Sequence, residues 1–255
     1  MNAKAREFGT PAAGGEVTTD WIPYCGAGAT PVDLAERWNL DPVLLLVMGA
    51  TFGLLWLRTR GRRPWLVAAF AILAISFVSP LCALSSALFG ARTVHHLLLV
   101  AGAAPLLAMA LRPPVKGLAA ATAIQTMIFW CWHSPSAYGA ALSSDAVYWV
   151  MQLSLLGTAT WFWSAVRTAT APGAVAGLLV TTVQMGLLGA LIAFAGQPLY
   201  APHLMTTAAW GLTPLEDQQI AGLLMWAPAL GLYLTAALWR VGRLIGPDTR
   251  GAATS

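Results

Sequence analysis

The stretch DPVLLLVMGATFGLLWLR at 41–58 has no charge between its first residue and its last. Asp41 is a favoured helix N-cap, and proline is favoured at the next position, here Pro42. A helix needs about 20 mostly apolar residues to cross the hydrocarbon core of a bilayer. A terminal arginine such as Arg58 can extend a shorter run, because its side chain reaches toward the interface. This stretch therefore predicts the first of several membrane-spanning helices.

The composition of the 255-residue chain agrees with a membrane protein and excludes three other classes. Apolar residues make up 58% of the chain and charged residues 9%, whereas an ordinary soluble domain is about 25% charged. These charges are too few to cover a soluble surface, so we exclude a soluble enzyme, a nucleic-acid-binding protein and a disordered chain. The net charge of +4 then reports orientation in the membrane rather than binding to nucleic acid.

The charged residues divide the chain into uncharged windows of membrane-spanning length. We predict seven spans, at 42–57, within 64–84, and at 93–111, 117–133, 146–166, 172–196 and 218–239. The predicted fold class is an all-α integral membrane protein, a seven-transmembrane helix bundle. Its predicted parts are an extracytoplasmic N-terminal segment at 1–40, the transmembrane domain at 41–240 and a cytoplasmic tail at 241–255.

The basic residues predict the orientation of this bundle. One set of loops carries ten of the arginines and lysines, and the set that includes the N-terminus carries four, which are Lys4, Arg6, Arg37 and Arg92. Because the cytoplasmic loops carry the excess of basic residues, we expect the N-terminus outside and the C-terminus in the cytoplasm. The polar opening MNAKAREFGT predicts no cleavable signal peptide.

The unusual polar residues collect at the predicted outer end. His95 and His96 open the third span, His133 closes the fourth, His203 lies in the loop before the seventh, and Asp217 opens the seventh. Imidazole is a common metal ligand, and soft donors on an oxidising side favour copper over magnesium or calcium. Adjacent residues on a helix point about 100° apart, so the two neighbouring histidines are not expected to share one site. The competing interpretation is polar packing between helices.

Other sequence features exclude further functions. The chain has no GxSxG or HExxH motif, and we predict that it is not an enzyme. No lysine lies well inside a span, which excludes a retinal protein. All charges are expected at span ends, which disfavours an ion-driven carrier. Three cysteines without a CxxC pair, at positions 25, 82 and 131, predict no disulfide framework.

Two contacts inside the bundle are expected. Arg92 lies one helical turn before His96, and we predict an ion pair between Arg92 and Asp217 that disfavours a hard divalent cation nearby. Glycine lets helix backbones approach closely in membranes, so Gly186 or Gly189 is expected to contact a neighbouring span.

Six pieces of sequence, taken in order, carry a resemblance to a known family. They are YCGAGATPVDLAERWNLDPVLLL at 24–46, Ser79-Pro80, RTVHHLLLVAGAAPLLAM at 92–109, FWCWHSPSAYGAAL at 129–142, QPLYAPH at 197–203 and TPLEDQQIAGLLMW at 213–226. With the span count, this order resembles the integral-membrane CtaG-type cytochrome c oxidase assembly factors of bacteria. Many members have HxxxH where this chain has Arg92-Thr93-Val94-His95-His96, so Arg92 takes the place of the first histidine.

The resemblance implies a function that composition and spacing do not show. It implies a multi-pass protein of the bacterial cytoplasmic (inner) membrane that helps to build a haem-copper oxidase, by delivering copper or maturing a subunit at the outer face. The expected partners are cytochrome c oxidase subunits, the lipid bilayer and a periplasmic copper chaperone. By motif position, the candidate site residues are His96, His133, His203 and Asp217.

Two other classes of function remain open at this stage. The first is a metal-free membrane scaffold that holds oxidase subunits. The second is a haem or small-molecule carrier, which would need an axial histidine beside an apolar slot between helices.

Overall fold

The computed structural model describes residues 23–245. Our predictions for residues 1–22, which include Lys4, Arg6 and the absence of a signal peptide, lie outside the described residues, as does the tail from 246 to 255. Between 23 and 245 the fold is all-helical and contains no β-strand.

The described residues form nine α-helices when Phe89–Leu111 is counted as one continuous helix. They are α1 (Pro42–Arg58), α2 (Arg63–Phe77), α3 (Leu81–Ala87), α4 (Phe89–Leu111), α5 (Leu118–Trp132), α6 (Pro135–Ser143), α7 (Asp145–Thr168), α8 (Ala171–Ala193) and α9 (Pro214–Ile245). Three of them, α4, α8 and α9, are long and apolar enough to cross a membrane. The pair α2 and α3, bent by 45°, gives a fourth such segment if it is counted as one. The protein is therefore a helical membrane protein.

A helix lies at each predicted span, and the second predicted span contains both α2 and α3. Helix α1 begins as predicted, because the Asp41 carboxylate accepts a hydrogen bond of 2.8 Å from the Val43 backbone N–H. Two short helices, α3 and α6, were not predicted. Ser79-Pro80 separates α3 from α2, and Pro135 begins α6, as expected for a residue that cannot continue a preceding helix.

The start of α4 differs from the prediction in a way that matters for the site. We predicted a span from 93, but the helix begins at Phe89. Arg92 consequently lies in the first turn of the helix with none of its surface exposed, so its charge is buried at the end of the span rather than exposed in a loop. The reason is a tertiary cap, since Asp217 of α9 accepts hydrogen bonds from the backbone N–H groups of Phe89 and Gly90.

Helix α4 contains a π-helical segment at Leu98–Ala103, directly after its two histidines. Pro105 has no N–H to donate to the carbonyl one turn earlier, which favours such a local widening. The Trp163 indole N–H of α7 donates a hydrogen bond of 2.8 Å to the Val100 carbonyl in this segment. Helix α7 therefore supports the irregular turn.

Helices α8 and α9 pack so closely that only glycine fits at their crossing. A β-carbon at Gly189 would lie 2.8 Å from the Gly222 carbonyl oxygen, and one at Gly222 would lie 2.5 Å from the Gly189 carbonyl oxygen. The predicted contact of Gly189 with a neighbouring helix is confirmed. Close approach of this kind lets dispersion forces hold helices together in a membrane.

The bundle has two chemically different ends. The starts of α1, α4, α7 and α9 meet at one end, which we call the histidine end because it holds His95, His96, His133 and His203. The ends of α4, α7 and α9 meet at the other, which we call the arginine end because it holds Arg112, Arg167, Arg240 and Arg243. Two contacts fix this arrangement: α9 caps α4 at the histidine end, and Arg240 donates to the Val166 carbonyl at the arginine end.

A disulfide joins Cys25 to Cys82 at the histidine end. The two Cα atoms lie 5.4 Å apart across 57 residues of sequence. Our expectation of no disulfide was wrong, because a cysteine count cannot show that the segment before α1 folds back onto α3. The third cysteine, Cys131, is free and exposed.

Candidate functional site

Two buried histidines face each other between α4 and α5. The ring centres of His96 and His133 lie 5.4 Å apart with their planes nearly perpendicular, and both side chains are almost completely buried. His96 lies two turns into α4, and His133 directly follows the last residue of α5. A separation of more than about 12 Å would have excluded a shared metal ion, and the observed separation does not.

The hydrogen bonds of these rings leave nitrogens free to bind a ligand. His133 Nδ1 lies 2.7 Å from the Phe129 carbonyl oxygen. Because a carbonyl only accepts, Nδ1 carries the proton and Nε2 keeps its lone pair. Within residues 23–245, neither His133 Nε2 nor either nitrogen of His96 has a hydrogen-bond partner. A histidine whose second nitrogen donates to a carbonyl is the usual arrangement at metal sites.

His95 points away from this pair. Its ring packs edge-on against Phe77 of α2, with 5.0 Å between ring centres, and lies 5.9 Å from the ring of His96. This agrees with the expectation that adjacent histidines on one helix face different neighbours. His95 belongs to the α2 side of the histidine end.

Arg92 lies one helical turn before His96 and carries a buried positive charge. Its Nε donates a hydrogen bond of 3.2 Å to the Ser85 carbonyl, and its guanidinium carbon lies 5.4 Å from the ring centre of Tyr148. No partner among the described residues accepts from its two terminal nitrogens. Within the described residues, Arg92 therefore has no carboxylate in direct contact with its guanidinium.

The predicted ion pair between Arg92 and Asp217 is wrong. The two carboxylate oxygens of Asp217 accept hydrogen bonds of 2.7 Å and 3.0 Å from the N–H groups of Phe89 and Gly90. The positive end of the α4 dipole stabilises the carboxylate there. Asp217 thus positions the helix that carries Arg92 and His96.

His203 closes the site from the loop between α8 and α9. Its Nδ1 donates to the Ala87 carbonyl at 3.2 Å, and its Nε2 accepts from the Tyr138 hydroxyl at 2.6 Å. Burial and, secondarily, the charge of Arg92 lower the pKa of His203 from 6.5 to about 3. The ring is therefore neutral at physiological pH, and both of its nitrogens are engaged.

The same loop also holds the His133 backbone. The Tyr200 hydroxyl donates a hydrogen bond of 2.8 Å to the His133 carbonyl, and Thr206 donates to the same Ala87 carbonyl that His203 uses. The loop therefore lies over the histidine end as a cover.

Two further polar residues of the site were not predicted. Tyr148 of α7 is buried beside Arg92. Gln152, one turn later, is also buried, and neither of its side-chain polar atoms has a partner within the described part of the chain. Their spacing of four residues in an apolar helix was the available signal, because side chains at i and i+4 share one face.

Among the residues that the structure describes, no three or more His, Cys, Asp or Glu side chains are grouped so that they could hold a metal ion. The structure brings together His96 and His133, and it places His95, His203 and Asp217 in other contacts. The chemistry available at the pair is therefore that of two neutral imidazoles in a buried, water-poor setting beside one guanidinium.

The fold and this site define a helical membrane protein with a buried histidine pair under a polar loop. The chain belongs to the cytochrome c oxidase caa3 assembly factor family (Caa3_CtaG), whose sequence profile matches residues 118–245, about half of the chain. The matched region contains α5 to α9, with His133, His203 and Asp217, whereas Arg92 and His96 precede it. No curated protein and no solved structure matches this chain. Membership indicates a role in assembling the oxidase, and hence association with it.

Proposed function

We propose that this protein handles copper(I) at the His96–His133 pair during assembly of a caa3-type cytochrome c oxidase. It acts at the outer face of the bacterial cytoplasmic membrane, as a seven-span protein with its N-terminus outside. The observation that carries the proposal is the pair itself: two buried rings 5.4 Å apart, with unpartnered nitrogens on both within the described residues.

Two independent observations support the orientation. Four basic residues lie on the proposed outer side, with Arg92 in the first turn of α4 among them, against ten on the other side. The disulfide between Cys25 and Cys82 belongs to the histidine end, and disulfides persist on the oxidising side of the membrane. Both observations favour an outward-facing histidine end.

The character of the pair favours copper(I) over harder divalent cations. Two neutral imidazoles supply nitrogen donors and no negative charge, and the donor set lacks the carboxylates and carbonyls that magnesium and calcium require. The buried guanidinium of Arg92 repels a dication twice as strongly as it repels a monocation. The site should therefore bind a monovalent, weakly hydrated ion more favourably than a divalent ion.

The cover suggests how copper would pass to a partner. Tyr200 binds the His133 carbonyl, so displacement of the loop between α8 and α9 would uncover the pair. A periplasmic copper chaperone would supply the ion and an oxidase subunit would receive it at this surface.

Copper(I) titration of the protein in mild detergent, against a competing chelator, tests the proposal. We expect one copper(I) ion per chain, and loss of binding in His96→Ala and in His133→Ala. His203→Gln is the matched control, because both ring nitrogens of His203 already have partners. Wild-type affinity in the His96→Ala/His133→Ala double variant would contradict the proposal.

If the double variant bound copper(I) like the wild type, the metal-free scaffold would be the remaining proposal for the function. A strain with the double variant would then still assemble the oxidase, measured by the absorbance of its haem a, whereas a copper handler requires the pair. The haem-carrier alternative has less support. The apolar cavities between α1, α2 and α7, about 340 Å³, and between α4 and α9, about 290 Å³, have no histidine in their walls.

A further inference from the structure

A second polar site lies at the arginine end, far from the histidine pair. A cavity of about 400 Å³ opens there between α4, α7, α8 and α9. Its wall contains four arginines and two tryptophans, which are Arg112, Arg167, Arg240, Arg243, Trp163 and Trp239. Three different helices bring these cations to one opening.

The charge of this cavity has no counterpart in the described structure. Its wall contains no aspartate or glutamate. The acidic side chains between residues 23 and 245 precede α1 or open α7 and α9, at the histidine end. The one ion pair in this part of the chain joins Arg37 to Asp33. The arginine end therefore presents concentrated positive charge to any anion within reach.

Two of the arginines are held in place by backbone carbonyls. Arg240 donates to the carbonyls of Val166 and Ala169 at the end of α7, and Arg167 donates to the Pro113 carbonyl after α4. The Nε atoms of Arg167 and Arg240 are buried and, among the described residues, lack a partner. These guanidinium groups are fixed in position with N–H donors still to be satisfied, as recognition of a phosphate requires.

The remainder of the cavity suits the apolar part of a lipid. Leu178 and Ala236 belong to its wall, and the Arg243 guanidinium lies 5.1 Å from the ring centre of the largely exposed Trp239. Tryptophan and arginine prefer the depth at which headgroups meet acyl chains. Basic pockets between membrane helices on the cytoplasmic side are known as sites for anionic headgroups.

We propose that this cavity binds the phosphate group of an anionic phospholipid, with Arg112, Arg167, Arg240 and Arg243 around the phosphate. The role of basic residues in setting membrane orientation does not by itself explain why these four arginines surround one cavity. Arg58 and Arg60 give the same signal from exposed positions outside the cavity wall, whereas these four converge on one opening. The proposal is independent of the copper chemistry at the other end.

Native mass spectrometry of delipidated protein with added phosphatidylglycerol tests the proposal. We expect one tightly retained lipid on the wild type. Arg112→Gln/Arg243→Gln should bind it at least about tenfold more weakly, since each basic residue contributes about 1 kcal/mol and tenfold is about 1.4 kcal/mol. Both side chains are exposed, so this variant should fold, and an unchanged unfolding temperature without lipid verifies that it does.

Arg58→Gln/Arg60→Gln is the matched control, with the same change of charge at the same end, and it should bind lipid like the wild type. An equal loss in this control would show a diffuse charge effect and overturn the site. Equal retention of phosphatidylcholine would overturn the selectivity for anionic lipid. Displacement of the lipid by millimolar inorganic phosphate would identify free phosphate, not a phospholipid, as the ligand.

Discussion

The carboxylate of Asp217 accepts a hydrogen bond of 3.0 Å from the backbone N–H of Gly90, a residue 127 positions earlier in the chain. The same carboxylate accepts from the neighbouring N–H of Phe89. A residue in the first turn of the last helix thus sets where the helix with Arg92 and His96 begins, and with it the depth of the histidine pair. A β-carbon at Gly90 would lie 3.1 Å from this carboxylate, which explains the glycine.

Asp217→Ala should strongly destabilise the protein. It leaves two buried N–H groups without an acceptor, at a cost of about 1–3 kcal/mol for each. We expect the unfolding temperature in detergent to fall by several degrees, and Asp217→Asn, which keeps one acceptor oxygen, to lie between. Glu36→Ala removes an exposed carboxylate and serves as the control. Equal unfolding temperatures for Asp217→Ala and the control would refute the capping role.

Gly189→Ala should lower stability, although alanine is the better helix former. Its methyl group would lie 2.8 Å from the Gly222 carbonyl oxygen, so α8 and α9 must move apart. Gly157→Ala in α7 is the matched control, because nothing lies within 4 Å of a β-carbon there, and it should be neutral or stabilising. Thermal unfolding of the two purified variants compares them directly, and a stabilised Gly189→Ala protein would contradict close packing.

His203 should make stability depend on pH in the acid range. Burial lowers its folded-state pKa from 6.5 to about 3, so between these values the unfolded chain binds a proton that the folded chain does not. Its contribution is complete above pH 6.5 and is lost as the pH falls toward 3. His203→Gln should flatten this part of the profile of unfolding temperature against pH. A variant profile parallel to that of the wild type would exclude His203 as a cause.

Reporter fusions should place Arg62 and Pro114 in the cytoplasm and Thr30, Tyr138 and Ala208 outside. The physical basis is the excess of basic residues at the arginine end. The disulfide gives an independent measurement, because a thiol reagent that cannot cross membranes should label Cys131 before reduction and Cys25 only after it. A cytoplasmic reporter signal at Ala208 would reverse the orientation and move the histidine end to the inside.

The order and positions of the helices could be predicted because the signals are local. An uncharged run between Asp41 and Arg58 is visible in eighteen adjacent letters of sequence, and α1 matches it within a residue. Close packing at Gly189 was also predictable, because small residues in a membrane helix let a neighbouring helix backbone approach closely. The similar depth of His96 and His133 was predictable, but their meeting also required α4 and α5 to be neighbours, which the sequence does not establish.

The missed features depend on partners that are distant in sequence. The start of α4 depends on Asp217, and the burial of Arg92 depends on that start. The disulfide depends on a segment before α1 that returns to α3, for which the sequence has no periodic signal. Arg92 was expected in a loop because a charge within an apolar helix is costly. The contacts that stabilise it, with Ser85 and Tyr148, come from other helices and are not visible in the local sequence.

The π-helical segment at Leu98–Ala103 sets the rotational phase of α4. One extra residue in a helical turn rotates everything that precedes it by about 100° relative to everything that follows. His96 lies before this offset, and Arg112 follows the end of the helix after it. The offset therefore determines how the direction of the histidine pair relates to that of the arginine cavity. A chain shorter by one residue between 98 and 103 would keep its net charge, spans and orientation, yet would turn either His96 away from His133 or Arg112 away from its cavity.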